Sequence, residues 1–306
     1  MLDTGLPGPA LRAITRRTGE GMFKVEVYEV VSPDSPKILV TNDDGVHSPG
    51  LRLLYEAVKD LGKAYMLAPE TPKSASGLGI TLHKPLRITK IKLWGDVDVY
   101  MTNGTPSDVI YLAIEEFSPR FDIVVSGVNI GDNTSIQVIL SSGTVGAAAQ
   151  AALLGIPGVA FSANVDEASQ LEEDKETWNN IKKIIRHIVL WVLENGIPRG
   201  VDLLSVNFPR RVTPGTQVKI APAARVKFLQ KVSVLYDPRG KKYYWLYGTL
   251  VDPEPGSDVY VVHVENAIAI TPLSLDMNIP RDTWKSVTEK LRPIVSMLEA
   301  ELSKNK

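Results

Sequence analysis

Short apolar and β-branched runs recur along the chain, separated by stripes of helical period. Ile38–Thr41 reads as a buried strand. Apolar residues at 51, 54, 58 and 61 then trace one face of a helix that Gly62 ends, with Ser48 as N-cap and Pro49 at the first helical position. Ala64–Ala68 is a second strand, and residues 80–82, 86–91 and 97–101 are β-like. Thr105–Pro106 opens a helix to about Glu116, Phe121–Ser126 is the next buried strand, and an alanine-rich helix covers 145–154. Val159–Ser162 and Leu203–Phe208 are further strands, with a helix between them from Trp178 to Leu193. This alternation predicts an α/β fold, a Rossmann-like and mainly parallel sheet with helices on both faces.

From about residue 217 the pattern changes. Val232–Leu235, Tyr243–Leu250 and Val259–Val264 are strand-like with proline- and glycine-rich turns between them, which predicts an antiparallel hairpin extension. Ala267–Thr271 returns to the sheet. A terminal helix starts at Asp282, with apolar positions at 284, 287, 291, 294, 298 and 302 and a kink expected at Pro293. Three segments result: a loosely held extension over 1–36, a catalytic core over 37–216, and an oligomerising segment over 217–306. The extension holds one β-like run, Phe23–Val31, and Met22 is an alternative start.

Composition narrows the classes. The 306 residues are 44% hydrophobic and 23% charged, an ordinary globular balance. The net charge of −1 offers no bulk attraction to a nucleic-acid polymer or an anionic membrane. No apolar run approaches the ~20 residues that span a bilayer, and the start lacks a secretory core. Cysteine is absent, which excludes disulfides and thiolate chemistry and suits a cytoplasmic setting.

The candidate chemistry lies at the ends of strands. Asn42, Asp43, Asp44 and Gly45 follow the first strand, Asn129 and Asn133 follow the strand at 121–126, and 73–79 is a loop of small residues including Ser74 and Ser76. Each has a plainer reading as a polar turn. In open α/β sheets, however, ligands bind at the carboxyl ends of strands. Adjacent carboxylates raise each other's pKa unless a cation lies between them. Oxygen-only donors suit magnesium, manganese or calcium. Ser141, Ser142, Gly143 and Thr144 stand at a helix start, where free N–H groups attract an anion, although simple capping explains them too. A cation beside a phosphate pocket suggests metal-assisted phosphoryl chemistry. His47 follows the acidic tip and reads first as a solvated loop histidine, second as a proton donor to a leaving group. No hydrolase triad, Walker loop or Gly-x-Gly-x-x-Gly motif is present.

In order along the chain stand Val-Thr-Asn-Asp-Asp-Gly, Ala-Pro followed by Lys-Ser-Ala-Ser-Gly, Asn-Gly-Thr-Pro-Ser-Asp, Ser-Gly-Val-Asn-x-Gly-x-Asn and Ser-Gly-Thr-Val-x-Ala-Ala. Together they resemble the SurE (survival protein E) family of nucleotide phosphatases, strongly over about 37–165 and more weakly to about 273. The resemblance implies a metal-dependent phosphomonoesterase, with Asp43, Asp44, Ser74 and Asn129 as metal ligands. It also implies subunits that exchange C-terminal segments. Two departures stand out: Lys73 where the family has arginine in many members, and Asp132 where proline is common.

The expected function is therefore hydrolysis of a nucleoside 5′- or 3′-monophosphate by direct attack of water. One divalent cation per subunit, magnesium or manganese, would assist. Asp43 and Asp44 are catalytic, and Asn133, Ser142, Gly143 and Thr144 contact the phosphate. A homodimer or homotetramer is expected through the C-terminal region, where Tyr236, Tyr243, Tyr244, Trp245 and Tyr247 gather. The rivals are a non-catalytic nucleotide-binding regulatory module and an aspartyl-phosphate phosphatase. The latter chemistry usually wants Asp-x-Asp rather than adjacent aspartates.

Overall fold

A computed structural model describes residues 35–303. Strand β1 (Lys37–Thr41) leads to helix α1 (Pro49–Val58) and strand β2 (Lys63–Pro69). A long loop reaches β3 (Ile88–Leu93) and β4 (Val97–Thr102), then α2 (Pro106–Glu116) and β5 (Ile123–Ile130). Next come α3 (Ile136–Ile139), α4 (Gly143–Leu153), β6 (Gly158–Ala163), α5 (Ala168–Glu173), α6 (Lys175–Asn195) and β7 (Leu203–Phe208). The chain ends with β8 (Val218–Ile220), β9 (Phe228–Tyr236), β10 (Lys242–Leu250), α7 (Asp258–His263), β11 (Ile268–Leu273) and α8 (Trp284–Ser303).

Nine strands form one sheet in the order β3-β4-β2-β1-β5-β6-β7-β11-β8. From β4 to β7 every neighbouring pair is parallel. The edges are mixed, because β3 runs antiparallel to β4 and β11 antiparallel to β7. Both faces are covered, as the nearly continuous apolar strands require. In β1, Ile38 and Val40 join the core beneath α1 and α6, and Leu39 joins the core beneath α2 and α4. The chain runs outward from β1 to β2 and β4, then returns to β1's other side as β5. The carboxyl ends of β1 and β5 therefore flank the point where the winding reverses, the place where such sheets open a binding crevice.

The helix starts follow their local chemistry. Ser48 Oγ accepts from Gly50 N at 3.2 Å. Thr105 and Asp108 form a reciprocal capping box on α2. Some expectations need correcting. Val259–Val264 is not a strand: Ser257 caps Tyr260 N, the chain coils as α7, and Val259, Val261 and Val262 are buried. Tertiary burial and a cap there override β-branched propensity. Residues 80–82 join no sheet, and Thr81 N donates to the Asp108 side chain instead. Helix α1 stops at Val58, before Gly62, and β5 extends past Ser126 to Ile130 with a register shift against β6 between Ser126 and Asn129. Pro293 lies inside α8. The Phe23–Val31 run lies outside the described residues.

Among the described residues strands β9 and β10 pair only with each other, every residue of β10 is exposed, and α8 buries none of its side chains. The hairpin's root is nonetheless firmly held. Lys227 Nζ donates to both carboxylate oxygens of Asp132 at 2.7 Å, and His263 Nε2 lies 3.0 Å from Oδ2. The Thr134 hydroxyl bonds the same carboxylate. The Lys227 and Asp132 side chains are only 5% and 4% exposed. Burial alone would raise the Asp132 pKa, but His263 and the Lys227 ammonium outweigh it and hold the carboxyl well below the usual range. Removing one partner of such a pair strands the other charge in the interior. Asp132→Asn should cost about 3–5 kcal/mol in a denaturant titration at neutral pH, and a loss under about 1 kcal/mol would reduce the network to a surface-like contact.

Candidate active site

The site is built where β1, β5 and α4 meet. Asn42 follows β1 and folds the tip back on itself: its Oδ1 accepts from Gly45 N at 3.2 Å and its Nδ2 donates to Gly45 O at 3.0 Å. This turn points the next two carboxylates at different neighbours. Asp43 leans to α4, where the Thr144 hydroxyl donates to its Oδ1. Asp44 leans to β5 and accepts from Ile130 N at 3.1 Å. Asn129 lies between them on β5. Its Nδ2 donates to Ile130 O at 3.2 Å and Gly131 O at 2.6 Å, so its Oδ1 is left facing Thr144 Oγ1 at 3.4 Å. One hydroxyl proton cannot serve both oxygens well, and the Asp43 bond is the shorter.

The loop of small residues closes the third side. Lys73 N donates to Asp43 O at 2.7 Å, and Gly77 N donates to Ser141 O at 2.9 Å. Ser74 follows Lys73 with an exposed side chain. Ser76 turns inward instead: its Oγ is buried and has no hydrogen-bond partner. A β-carbon on Gly143 would lie 2.6 Å from Ser76 Oγ and 3.0 Å from Asp43 Oδ2, so only glycine lets the loop and the acidic tip close together on the start of α4.

The remaining candidates divide. Ser142 caps α4, its Oγ accepting from Val145 N at 3.1 Å, which leaves the hydroxyl proton free to donate. Backbone N–H groups of Gly143 and Thr144 favour the charged form of Asp43. Asn133 is turned elsewhere: its Nδ2 donates to Ser162 Oγ at 2.8 Å, and its own N donates to Asn207 Oδ1 at 2.8 Å. Asn207 and Ser162 anchor the β5 tip, and sequence reasoning passed over both because they sit inside apolar strand runs. His47 is exposed at the rim.

The electrostatics ask for a cation. Burial raises the Asp43 pKa despite the hydrogen bonds from Thr144 and the helix start. Burial, and then the Asp43 charge, push Asp44 up to about 6. Among the described residues no group of three or more acidic or histidine side chains is placed to hold a metal ion. A cation here would rest on two carboxylates, the Asn129 amide oxygen and serine hydroxyls, a donor set that fits a hard ion.

A family profile described as Survival protein SurE matches residues 38–230. The chain belongs to the SurE family. It is 78% identical over 266 residues to a Hyperthermus butylicus protein named 5'-nucleotidase SurE, covering 87% of this chain and 94% of that one. A Pyrobaculum arsenaticum protein of the same name is 53% identical over 259 residues, covering 85% and 97%. The crystal structure of the SurE protein from Aquifex aeolicus matches with a TM-score of 0.70 at 33% identity, over 83% of this chain and 99% of that chain. The mainly parallel sheet described above is thus a SurE sheet.

The raised carboxylates set a pH signature. Asp44 moves from 3.8 to about 6 on folding, so between those values the folded chain binds more protons than the unfolded one. Without a cation, stability should therefore fall as pH rises through that window. Asp44→Asn should flatten the slope. Denaturation midpoints measured in chelator across the window test this, and midpoints that climb with pH would contradict it.

Proposed function

We propose that the protein hydrolyses nucleoside monophosphates, as a 5′- or 3′-nucleotidase, through attack of water at phosphorus. The observation that carries this is the junction of Asp43 with Thr144, which brings an acidic strand tip onto a helix N-terminus suited to a phosphate. The names of the Hyperthermus and Pyrobaculum relatives support it, and metal dependence is a property of SurE nucleotidases as a family. The ligand set we assign is Asp43, Asp44, Ser74 and Asn129, with one magnesium or manganese ion per subunit. That ion supplies charge neutralisation at the phosphoryl group and a more acidic water.

The chain's own groups do the rest. The Thr144 hydroxyl holds Asp43 in one orientation. The free proton of the Ser142 hydroxyl and the Gly143 backbone meet the equatorial oxygens, whose charge grows in the transition state. Asn133 contributes through the packing of the β5 tip. One of the two aspartates accepts the proton of the attacking water, and Asp44 is the more open. The reading is tested by chelation: activity should vanish and return with magnesium or manganese. Asp43→Asn should lose roughly 100-fold or more in turnover, the scale of a major electrostatic contributor. Full activity in metal-free buffer would sink the mechanism. A phosphorylated aspartate trapped during turnover would favour a covalent route instead.

We further assign residues 217–306 to oligomerisation and the function to the cytoplasm. The support is the uncovered aromatic face of β10, where Tyr244 and Trp245 are 62% and 65% exposed, and the bare apolar stripe of α8. A two-stranded ribbon is marginal alone. Light scattering should show a homodimer or larger, and a chain ending near Asp276 should assemble less. A monodisperse, fully active monomer at micromolar concentration would end the proposal.

A further inference from the structure

The oxygen that Asn129 offers is aimed by two backbone carbonyls. Its Nδ2 donates to Ile130 O at 3.2 Å and to Gly131 O at 2.6 Å. A carbonyl can only accept, so these two take the NH2 end of the amide and leave Oδ1 on the side of Thr144 and Asp43. The direction of this oxygen therefore depends on where residues 130 and 131 hold their carbonyls. Gly131 has φ +98°, and its N–H donates to Ala163 O at 3.0 Å. That bond fixes the amino side of a residue with wide conformational freedom. The carbonyl side is held by the next residue, Asp132.

Asp132 is pinned from several directions. Thr134 N donates to its Oδ1 at 3.2 Å, and His263 Nε2 of α7 lies 3.0 Å from its Oδ2. Lys227, at the root of β9, gives its ammonium to both oxygens at 2.7 Å. The backbone of Lys227 is itself fixed: its N donates to Gln137 Oε1 at 3.1 Å, and its O accepts from Val251 N at 3.0 Å. Both charged side chains are buried, where a charge pair is held far more strongly than at the surface. A continuous line of bonds thus runs from the hairpin root through Asp132 and the Gly131 carbonyl to the Asn129 amide.

We propose that Lys227 is a positioning residue for the cation site: by holding Asp132 it fixes the carbonyls that turn the Asn129 amide oxygen toward Asp43. This rests on the assignment of Asn129 as a metal ligand. Coulomb's law taken alone argues the other way. An ammonium near a cation site repels the cation, and its loss would leave Asp132 as an added negative charge that strengthens binding. Positioning and charge therefore demand opposite signs when Lys227 is removed.

A double-mutant cycle tests it. Manganese ion is titrated calorimetrically, without substrate, into the full-length parent, Lys227→Met, Asn129→Ala and the two combined. Melting curves in chelator establish that each is folded at the titration temperature. Lys227→Met should weaken manganese binding about tenfold, the lower end of what the groups supporting a metal ligand contribute. In the Asn129→Ala background the same substitution should change affinity by less than about twofold, because the oxygen it positions is gone. If Lys227→Met does not fold, Asp132→Asn with Lys227→Met takes its place under the same expectation, since that pair strands no buried charge and leaves the net charge unchanged. Manganese binding that is unchanged or tighter in the folded variant overturns the proposal. So does an equal loss in both backgrounds, which would make Lys227 a general brace of the fold. An Asn129→Ala protein that binds manganese as well as the parent, or a parent that binds none, overturns the ligand assignment and the proposal with it. None of these readouts uses activity, so they stand apart from the phosphatase reading.

Discussion

Burying Asp43 is the constraint around which the molecule is arranged. A carboxylate with 4% of its surface exposed is costly unless its oxygens are met. The Thr144 hydroxyl meets one, the amides at the start of α4 favour the charge, and those groups are in place only because α4 begins where it does. That in turn needs Gly143, since any side chain would push the Ser76 loop and Asp43 apart. On the sheet's other face a second close approach is equally strict: a β-carbon on Gly50 would overlap Val128 O at 1.9 Å, so the first turn of α1 packs directly on the bend of β5. The β5 tip, carrying Asn129, is thereby clamped between two helix starts.

The same tip is tied to the far end of the chain. Asp132 stands three residues beyond Asn129, and its pairing with Lys227 fixes the root of the β9–β10 hairpin. Gln137 extends the joint by accepting from Lys227 N and Phe228 N and donating to Phe228 O. Asp258, fully buried, accepts from Ser135 N and Ala224 N. The negative charge that Asp132 brings near the site is thus answered locally by Lys227 rather than left to attract a cation. The strand tip, the hairpin root and α7 form one polar joint, while the outer hairpin and α8 stay apolar and exposed.

Much of this was legible in the residues. Period and punctuation located the core strands because a parallel sheet covered on both faces leaves continuous apolar runs, as in Leu203–Phe208, where the expected and observed limits coincide. The acidic tip alone read equally well as a polar turn, and it was the five ordered motifs around it that singled it out. What escaped needed three dimensions. Val259–Val264 reads as β by composition, and only its burial and the Ser257 cap make it a helix. Ser74 and Ser76 are two residues apart and chemically alike, but only the fold shows that Ser76 buries its hydroxyl beside Gly143 while Ser74 faces solvent. Asn133 looked like a phosphate donor by position, yet its nitrogen is committed to Ser162 through the register of β5 on β6. Lys227 gave no periodic signal at all.

The two carboxylates also bear on how phosphorus is attacked. A nucleophilic aspartate needs an oxygen free to approach in line, with its lone pairs unspent. Asp43 fails on both counts: it is buried, and its Oδ1 accepts from the Thr144 hydroxyl. Asp44 is more open but gives one oxygen to Ile130 N and lies within the field of Asp43. An Asp-x-Asp arrangement on a strand sends both side chains to the same face, so one can attack while the other protonates the leaving group. Adjacent aspartates leaving a strand through a tight turn diverge, here toward α4 and toward β5. That geometry suits gripping one cation from two sides better than dividing the labour of nucleophile and acid. Under the proposed function, this divergence supports water as the attacking species, oriented by the aspartates that would take its proton.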